Sequence, residues 1–214
     1  MSLQNNIYNK IKKSIIYGEL SPGEKLSENE LAENLNSSRT PIREAFRQLQ
    51  MEGYVTVSPN KGAYVSKLPP EEIESVYDVI GLLEGYAAKL ASAKIQNAEL
   101  NSLIKLKKKL FFYASKKRYR DYIEENSEFH RLITQISGNP VLTRTITELR
   151  SRVYRYRLTS VTIPGYLGKY ASDHEKIINA LKRKDPVRAR KYMENHVSFV
   201  KKILVKFLKE NPGY

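Results

Sequence analysis

Leu31-Ala32-Glu33-Asn34-Leu35-Asn36-Ser37-Ser38-Arg39-Thr40-Pro41-Ile42-Arg43-Glu44-Ala45-Phe46-Arg47-Gln48-Leu49 decides how the first part of the chain folds. Leu31, Ala32 and Leu35 give a short helix one apolar stripe, and Asn36-Ser37-Ser38 ends it with residues that favour turns and caps. Ser38 is placed to cap a second helix. That helix carries Pro41 near its start, where a missing N–H costs little, and turns Ile42, Ala45, Phe46 and Leu49 inward. Arg39, Thr40, Arg43 and Arg47 are left on its outer face. Hydroxyl and guanidinium groups clustered at a helix N-terminus suit phosphate oxygens, and Arg suits the O6 and N7 edge of guanine in a major groove. The pattern is a helix-turn-helix whose second helix reads DNA.

A surface helical hairpin with solvated arginines would share part of this pattern, but the residues that follow favour the first reading. Glu52-Gly53 ends the helix; Tyr54-Val55-Thr56-Val57 reads as a strand, Ser58-Pro59-Asn60-Lys61-Gly62 as a turn and Ala63-Tyr64-Val65-Ser66 as a second strand. The expected product is a β-hairpin wing with a basic tip.

Gly18-Glu19-Leu20-Ser21-Pro22-Gly23, Leu31-Ala32, Ser38-Arg39-Thr40-Pro41-Ile42-Arg43-Glu44-Ala45, Leu49, Glu52-Gly53 and Gly62 with Val65 agree in order and spacing with one known pattern. This first third of the chain resembles the winged helix of GntR-family bacterial repressors. The resemblance implies a two-fold homodimer on a palindromic double-stranded DNA operator. Arg39 and Arg43 are then expected on base edges, Ser38, Thr40 and Arg47 on the phosphate backbone, and Asn60, Lys61 and Gly62 at the wing.

Composition sets outer limits. A chain of 214 residues can bury one large core or two modest ones, and the absence of cysteine excludes a disulfide scaffold, Cys-ligated metal and thiol catalysis. No apolar run of a signal peptide opens the sequence and none approaches the roughly 20 residues that span a bilayer, so a cytoplasmic protein without membrane partners is expected. The formal net charge of +14 suggests an anionic partner. Its distribution does not single out the helix-turn-helix: up to Ser66 there are 8 Lys and Arg against 7 acids, and 29 against 16 thereafter. The DNA reading therefore rests on the motif, and the distal excess reads as solvated helix faces such as Lys105-Leu106-Lys107-Lys108-Lys109.

A first helix from about Asn6 to Tyr17, with Ile7, Ile11 and Ile15 or Ile16 inward, should brace the motif. Residues 1–66 form the expected DNA-binding domain and Lys67-Leu68-Pro69-Pro70 a stiff linker. Residues 71–214 show helical patterns only, over about 71–93, 97–114, 117–137, 140–160, 170–184 and 186–210, broken at Ser137-Gly138-Asn139-Pro140, Ile163-Pro164-Gly165 and Asp185-Pro186. The fold class is mainly α: a winged helix followed by an antiparallel helical bundle.

All three histidines, His130, His174 and His196, fall in the second half on three different expected helices. Asn126 lies one turn before His130 and shares its face. Such residues are surface or satisfied core groups when taken singly, and converge as a metal site when their helices face one another. Glu128-Phe129-His130, Ser137-Gly138-Asn139-Pro140, Asp173-His174 and His196 are similar to the FCD domain, the effector-binding half of the FadR branch of GntR regulators. That resemblance implies a divalent metal, zinc or nickel, on His130, His174, His196 and Asn126, at the floor of a pocket for a small carboxylate. Two positions depart from the family pattern. Asn126 stands where Asp is usual, removing a charge from the site, and Ile80 stands where an effector-binding Arg is frequent. Arg150, Arg152 and Tyr156 are the expected substitutes, a less charged or bulkier ligand being the alternative to an organic acid.

Two other function classes fit the sequence less well. A hydrolase would need a base near an open metal site, but His174-Glu175 is followed by Ile178 rather than His, and no Gly-x-Ser-x-Gly elbow or phosphate-cradling loop is present. A constitutive DNA-binding protein would not need converging histidines. No catalytic residue is assigned.

Overall fold

The computed structural model describes residues 3–58, 61–164 and 167–212. The chain divides between Pro69 and Pro70 into two compact units. In the first, helix α1 (Leu3–Ile16) turns Ile7, Ile11 and Ile15 inward at the spacing of one helical face, and Gly18 in the left-handed region follows its end. Helix α2 (Glu28–Asn34) starts at Ser27, whose hydroxyl accepts from Glu30 N at 3.3 Å, and Asn36 with φ of 48° supplies the reversal into α3 (Arg39–Met51). Ile42, Ala45, Phe46 and Leu49 of α3 pack on the α1 isoleucines in one apolar core.

Strand β1 (Lys25–Leu26) precedes α2, and β2 (Val55–Ser58) and β3 (Gly62–Val65) form the wing. The sheet has the order β1-β3-β2, all antiparallel, with Val55 opposite Val65, Ser58 opposite Gly62 and Lys25 opposite Tyr64. The expected two-stranded hairpin is thus three-stranded, because a two-residue strand is too short to show an alternating pattern. Two-stranded ribbons are marginal in water, and Leu26, buried on β1, gives the wing a third strand and an anchor in the core.

The second unit opens on α4 (Pro70–Lys94). Pro70 is therefore the first residue of a helix rather than the last of a linker, as the fixed φ of proline allows. It continues through α5 (Asn97–Ser115), α6 (Tyr119–Ile136), α7 (Pro140–Val153), a 3₁₀ turn (Tyr154–Tyr156), α8 (Arg157–Thr162), α9 (Leu167–Lys182) and α10 (Pro186–Glu210). The helix expected over 140–160 is in fact two. No Gly or Pro marks the break; the tighter turn directs Arg155, Tyr156 and Arg157 inward together, and that burial is a tertiary effect. Helix α10 lies along α4, and Gly85 permits the approach: a Cβ there would come within 2.5 Å of Glu194 Cγ. No helix among the described residues is long and apolar enough to cross a membrane.

Candidate functional sites

The outer face of α3 carries Arg39, Thr40, Arg43 and Arg47, all exposed, with Ser38 exposed at its N-cap position. Ser38 makes no side-chain capping bond, contrary to its expected role, so its hydroxyl and the first-turn N–H groups of α3 remain available to a phosphate. Arg43 Nε donates to Glu28 Oε2 at 2.8 Å, and the side chain is otherwise exposed. At the wing, Lys61 and Gly62 are exposed and Lys61 O accepts from Tyr64 OH at 3.0 Å; Asn60 lies outside the described residues.

Inside the second unit, α6, α9 and α10 bring His130, His174 and His196 together. All three are buried, and one ligand atom from each lies within 4.8 Å of the others. Nitrogens around one tetrahedral zinc ion sit about 3.4 Å apart, so the rings close the set by moving together by up to roughly 1.4 Å. Phe129, fully buried, packs edge-on against His174 with ring centroids 4.5 Å apart and fixes one wall. Asn126 Oδ1 and His196 Nδ1 are buried without a hydrogen-bond partner, the kind of unmet acceptor that a cation satisfies. Burial pushes the His130 imidazole down to about 3, helped by the nearby Arg150 charge and opposed by Glu84, and burial with the neighbouring His130 holds His196 well below its ordinary value. Both are therefore neutral, the form that coordinates metal. Three imidazoles and an amide oxygen fit zinc or nickel better than a hard cation.

One group at this site was not found in the sequence. Glu84 on α4 is 1% exposed, accepts from Nε and Nη2 of Arg150, and has Oε2 2.8 Å from His130 Nδ1. Despite that short distance His130 Nδ1 makes no hydrogen bond in the structure. Burial alone would raise the Glu84 carboxyl; Arg150 and His130 outweigh it and hold the group well below the usual carboxylate range. A lone acid inside the apolar run Val79-Ile80-Gly81-Leu82-Leu83-Glu84 was the available signal.

Two cavities adjoin the histidines. One, of about 30 Å³, is bordered by Asn126, His130, His196, Arg150 and Arg157, and has room for little more than water. The other, of about 210 Å³, lies by α6 and α7 and is bordered by Ser127, His130, Arg150, Tyr154 and Arg157. Of the expected effector residues only Arg150 reaches them. Arg152 is exposed and pairs with Glu72 at 2.6 Å, and Tyr156 is buried and borders neither cavity. Arg152, two residues on from Arg150 in the same helix, falls on the opposite side of α7, and the 3₁₀ turn after Val153 takes Tyr156 away from the cavities and brings in Arg157 instead. Arg157 is 8% exposed and donates from Nη1 to Ser127 Oγ at 2.7 Å; burial and the charge on Arg150 push its guanidinium down to about 10.

The family models match both units: the description "Bacterial regulatory proteins, gntR family" fits residues 3–65 and "FCD domain" fits residues 75–199. The chain is a GntR-family transcriptional regulator with an FCD domain. This GntR regulator is 26% identical over 212 residues to the HTH-type transcriptional repressor RspR of Escherichia coli, covering 99% of this chain and 93% of that one. It is 29% identical over 147 residues to the Nta operon transcriptional regulator of Aminobacter aminovorans, covering 62% of each. Among solved structures, McbR/YncC of E. coli superposes with a TM-score of 0.82 at 26% identity, over 97% of this chain and 99% of that one. GntR regulators bind DNA and FCD domains bind small-molecule effectors; the family is one of regulators and not of enzymes.

Proposed function

We infer that this GntR regulator is a homodimeric repressor of a palindromic operator, controlled by a small anionic effector bound beside a divalent metal in the FCD domain. The observation that carries the effector reading is the cluster of three buried imidazoles beside Arg157, a buried guanidinium that borders one cavity with His130 and His196 and the other with His130. Glu84 already neutralises Arg150, so Arg157 is the charge that an incoming carboxylate would compensate. His130, His174, His196 and Asn126 would hold the ion, and the ion would supply a Lewis-acidic anchor for one carboxylate oxygen. Zinc or nickel suits this donor set.

The homodimer reading draws on α4, which exposes Val79, Leu82 and Tyr86, at 44%, 58% and 43%, in positions that share one helical face. A repressor role is supported by the name of the relative RspR. Effector control requires unequal affinity for DNA-competent and incompetent dimers, and Lys67-Leu68-Pro69 is the stiff segment through which we propose it acts. By linkage, operator must weaken effector binding by the factor by which effector weakens operator binding.

Thermal melting tests the metal. Zinc at one hundred times its Kd should add about 2.7 kcal/mol of stability and raise the midpoint by about 5–10 °C, reversed by a chelator and lost in His196→Ala. If neither zinc nor nickel shifts the midpoint, the histidines are instead a polar lining for the effector itself. Carboxylates titrated by calorimetry with and without operator complete the test: equal affinities in the two states would rule out effector control.

A further inference from the structure

Glu84 is an expensive residue to keep in a helical core. Burying a carboxylate costs several kcal/mol unless partners are supplied, and breaking such a pair is strongly destabilising. Arg150 alone, donating from Nε and Nη2, would meet that need. The structure adds a second neighbour: His130 Nδ1 lies 2.8 Å from Oε2, within reach of a hydrogen bond that a small turn of the ring would complete. With Nδ1 turned to Glu84, Nε2 is the nitrogen of His130 left for the other two imidazoles. A coordinating histidine needs one ring nitrogen free of its proton, and an acceptor on the opposite nitrogen selects that tautomer and fixes the ring plane. Asn126 gives the donor set no charge, so a carboxylate one bond further out also restores basicity to the histidine it touches.

We propose that Glu84 is the positioning carboxylate of the metal centre: it accepts the Nδ1–H of His130 and so presents Nε2 to the ion shared with His174 and His196. The inference rests on the metal reading above. Arg150, in turn, orients Glu84 from the cavity side, which leaves Arg157 to face the effector.

Zinc calorimetry on the full-length wild type, Glu84→Gln and Glu84→Gln/Arg150→Met tests the assignment, together with the visible absorption spectrum of the cobalt(II)-loaded proteins. Glu84→Gln should weaken zinc binding by about 10–100-fold and alter the cobalt spectrum. The double variant removes the guanidinium stranded by the first change; it should melt higher than Glu84→Gln yet bind zinc as weakly. Wild-type zinc affinity in Glu84→Gln, or its recovery in the double variant, would overturn the proposal, since the loss would then come from an uncompensated Arg150. Should Glu84→Gln fail to fold, the double variant carries the comparison alone. A wild type that binds no zinc overturns the metal reading and this inference together, whereas a wild type that binds zinc as tightly as the double variant overturns only the role of Glu84.

Discussion

The two units place polar chemistry in opposite locations. In the winged helix the core is apolar, with Ile7, Ile11, Ile42, Phe46 and Leu49 at its centre, and the groups proposed to meet DNA stand on the exposed face of α3. In the bundle, Glu84, His130, His174, His196 and Arg157 are buried among the hydrophobic residues. A surface that meets a polyanion can stay hydrated until the partner arrives. A site for a small molecule must exclude water and hold polar groups ready, and each such group needs a partner or a ligand. A substitution in the first core should therefore cost stability alone, whereas one in the second should cost stability and ligand chemistry together.

Two buried phenylalanines give the largest expected effects. Phe46→Ala and Phe129→Ala should each destabilise their unit by about 3–5 kcal/mol in urea denaturation, because both leave a cavity in a closely packed core. Only Phe129→Ala should also weaken zinc binding by calorimetry, since Phe129 packs against both His130 and His174. An equal loss of zinc affinity in Phe46→Ala would break the contrast between the units.

The same contrast explains what the sequence made legible. The helix-turn-helix is local: its turn residues, cap position and apolar spacing lie within nineteen consecutive positions, Leu31 to Leu49, and the structure follows them. The missing piece, β1, pairs across nearly forty residues and leaves no periodic trace. The bundle site depends on long-range geometry. His130, His174 and His196 were visible as rare residues on separate helices, but whether they met depended on packing. Glu84 stood out only as a lone acid in an apolar run, and Arg157 looked like any base on a helix. The interruption at Tyr154 exchanged Tyr156 for Arg157, and no breaker residue announced it.

Charge-changing substitutions on the DNA face should produce intermediate effects. Arg43→Ala is expected to cost about 1–3 kcal/mol on operator DNA and to relax base preference at one position in each half-site. Lys61→Ala should weaken all sequences alike and reduce the slope of log affinity against log salt by about 1. Titrations on operator and random duplex at several salt concentrations separate these. Equal losses for Arg43→Ala on both duplexes would assign it to the phosphate backbone. Neither substitution should change zinc affinity.

The smallest effects come from two helix caps that look alike in sequence. Asn139 precedes α7, and its Oδ1 accepts from Leu142 N at 3.0 Å, which satisfies one of the orphan N–H groups at the helix start. Ser38 occupies the same position before α3 and makes no such bond. Asn139→Ala should therefore cost about 1 kcal/mol of stability in the bundle, the ordinary worth of an N-cap. Ser38→Ala should cost less than about 0.5 kcal/mol in the winged helix, as for a surface position without a structural partner. Its effect should appear on DNA instead, where a hydroxyl beside the first-turn N–H groups of α3 can donate to a phosphate oxygen. Chemical denaturation of both variants, with operator titrations of Ser38→Ala at fixed salt, measures each term. A loss of stability in Ser38→Ala as large as in Asn139→Ala, with operator affinity unchanged, would mean that this serine caps its helix after all and that the surface of the winged unit does structural work as well.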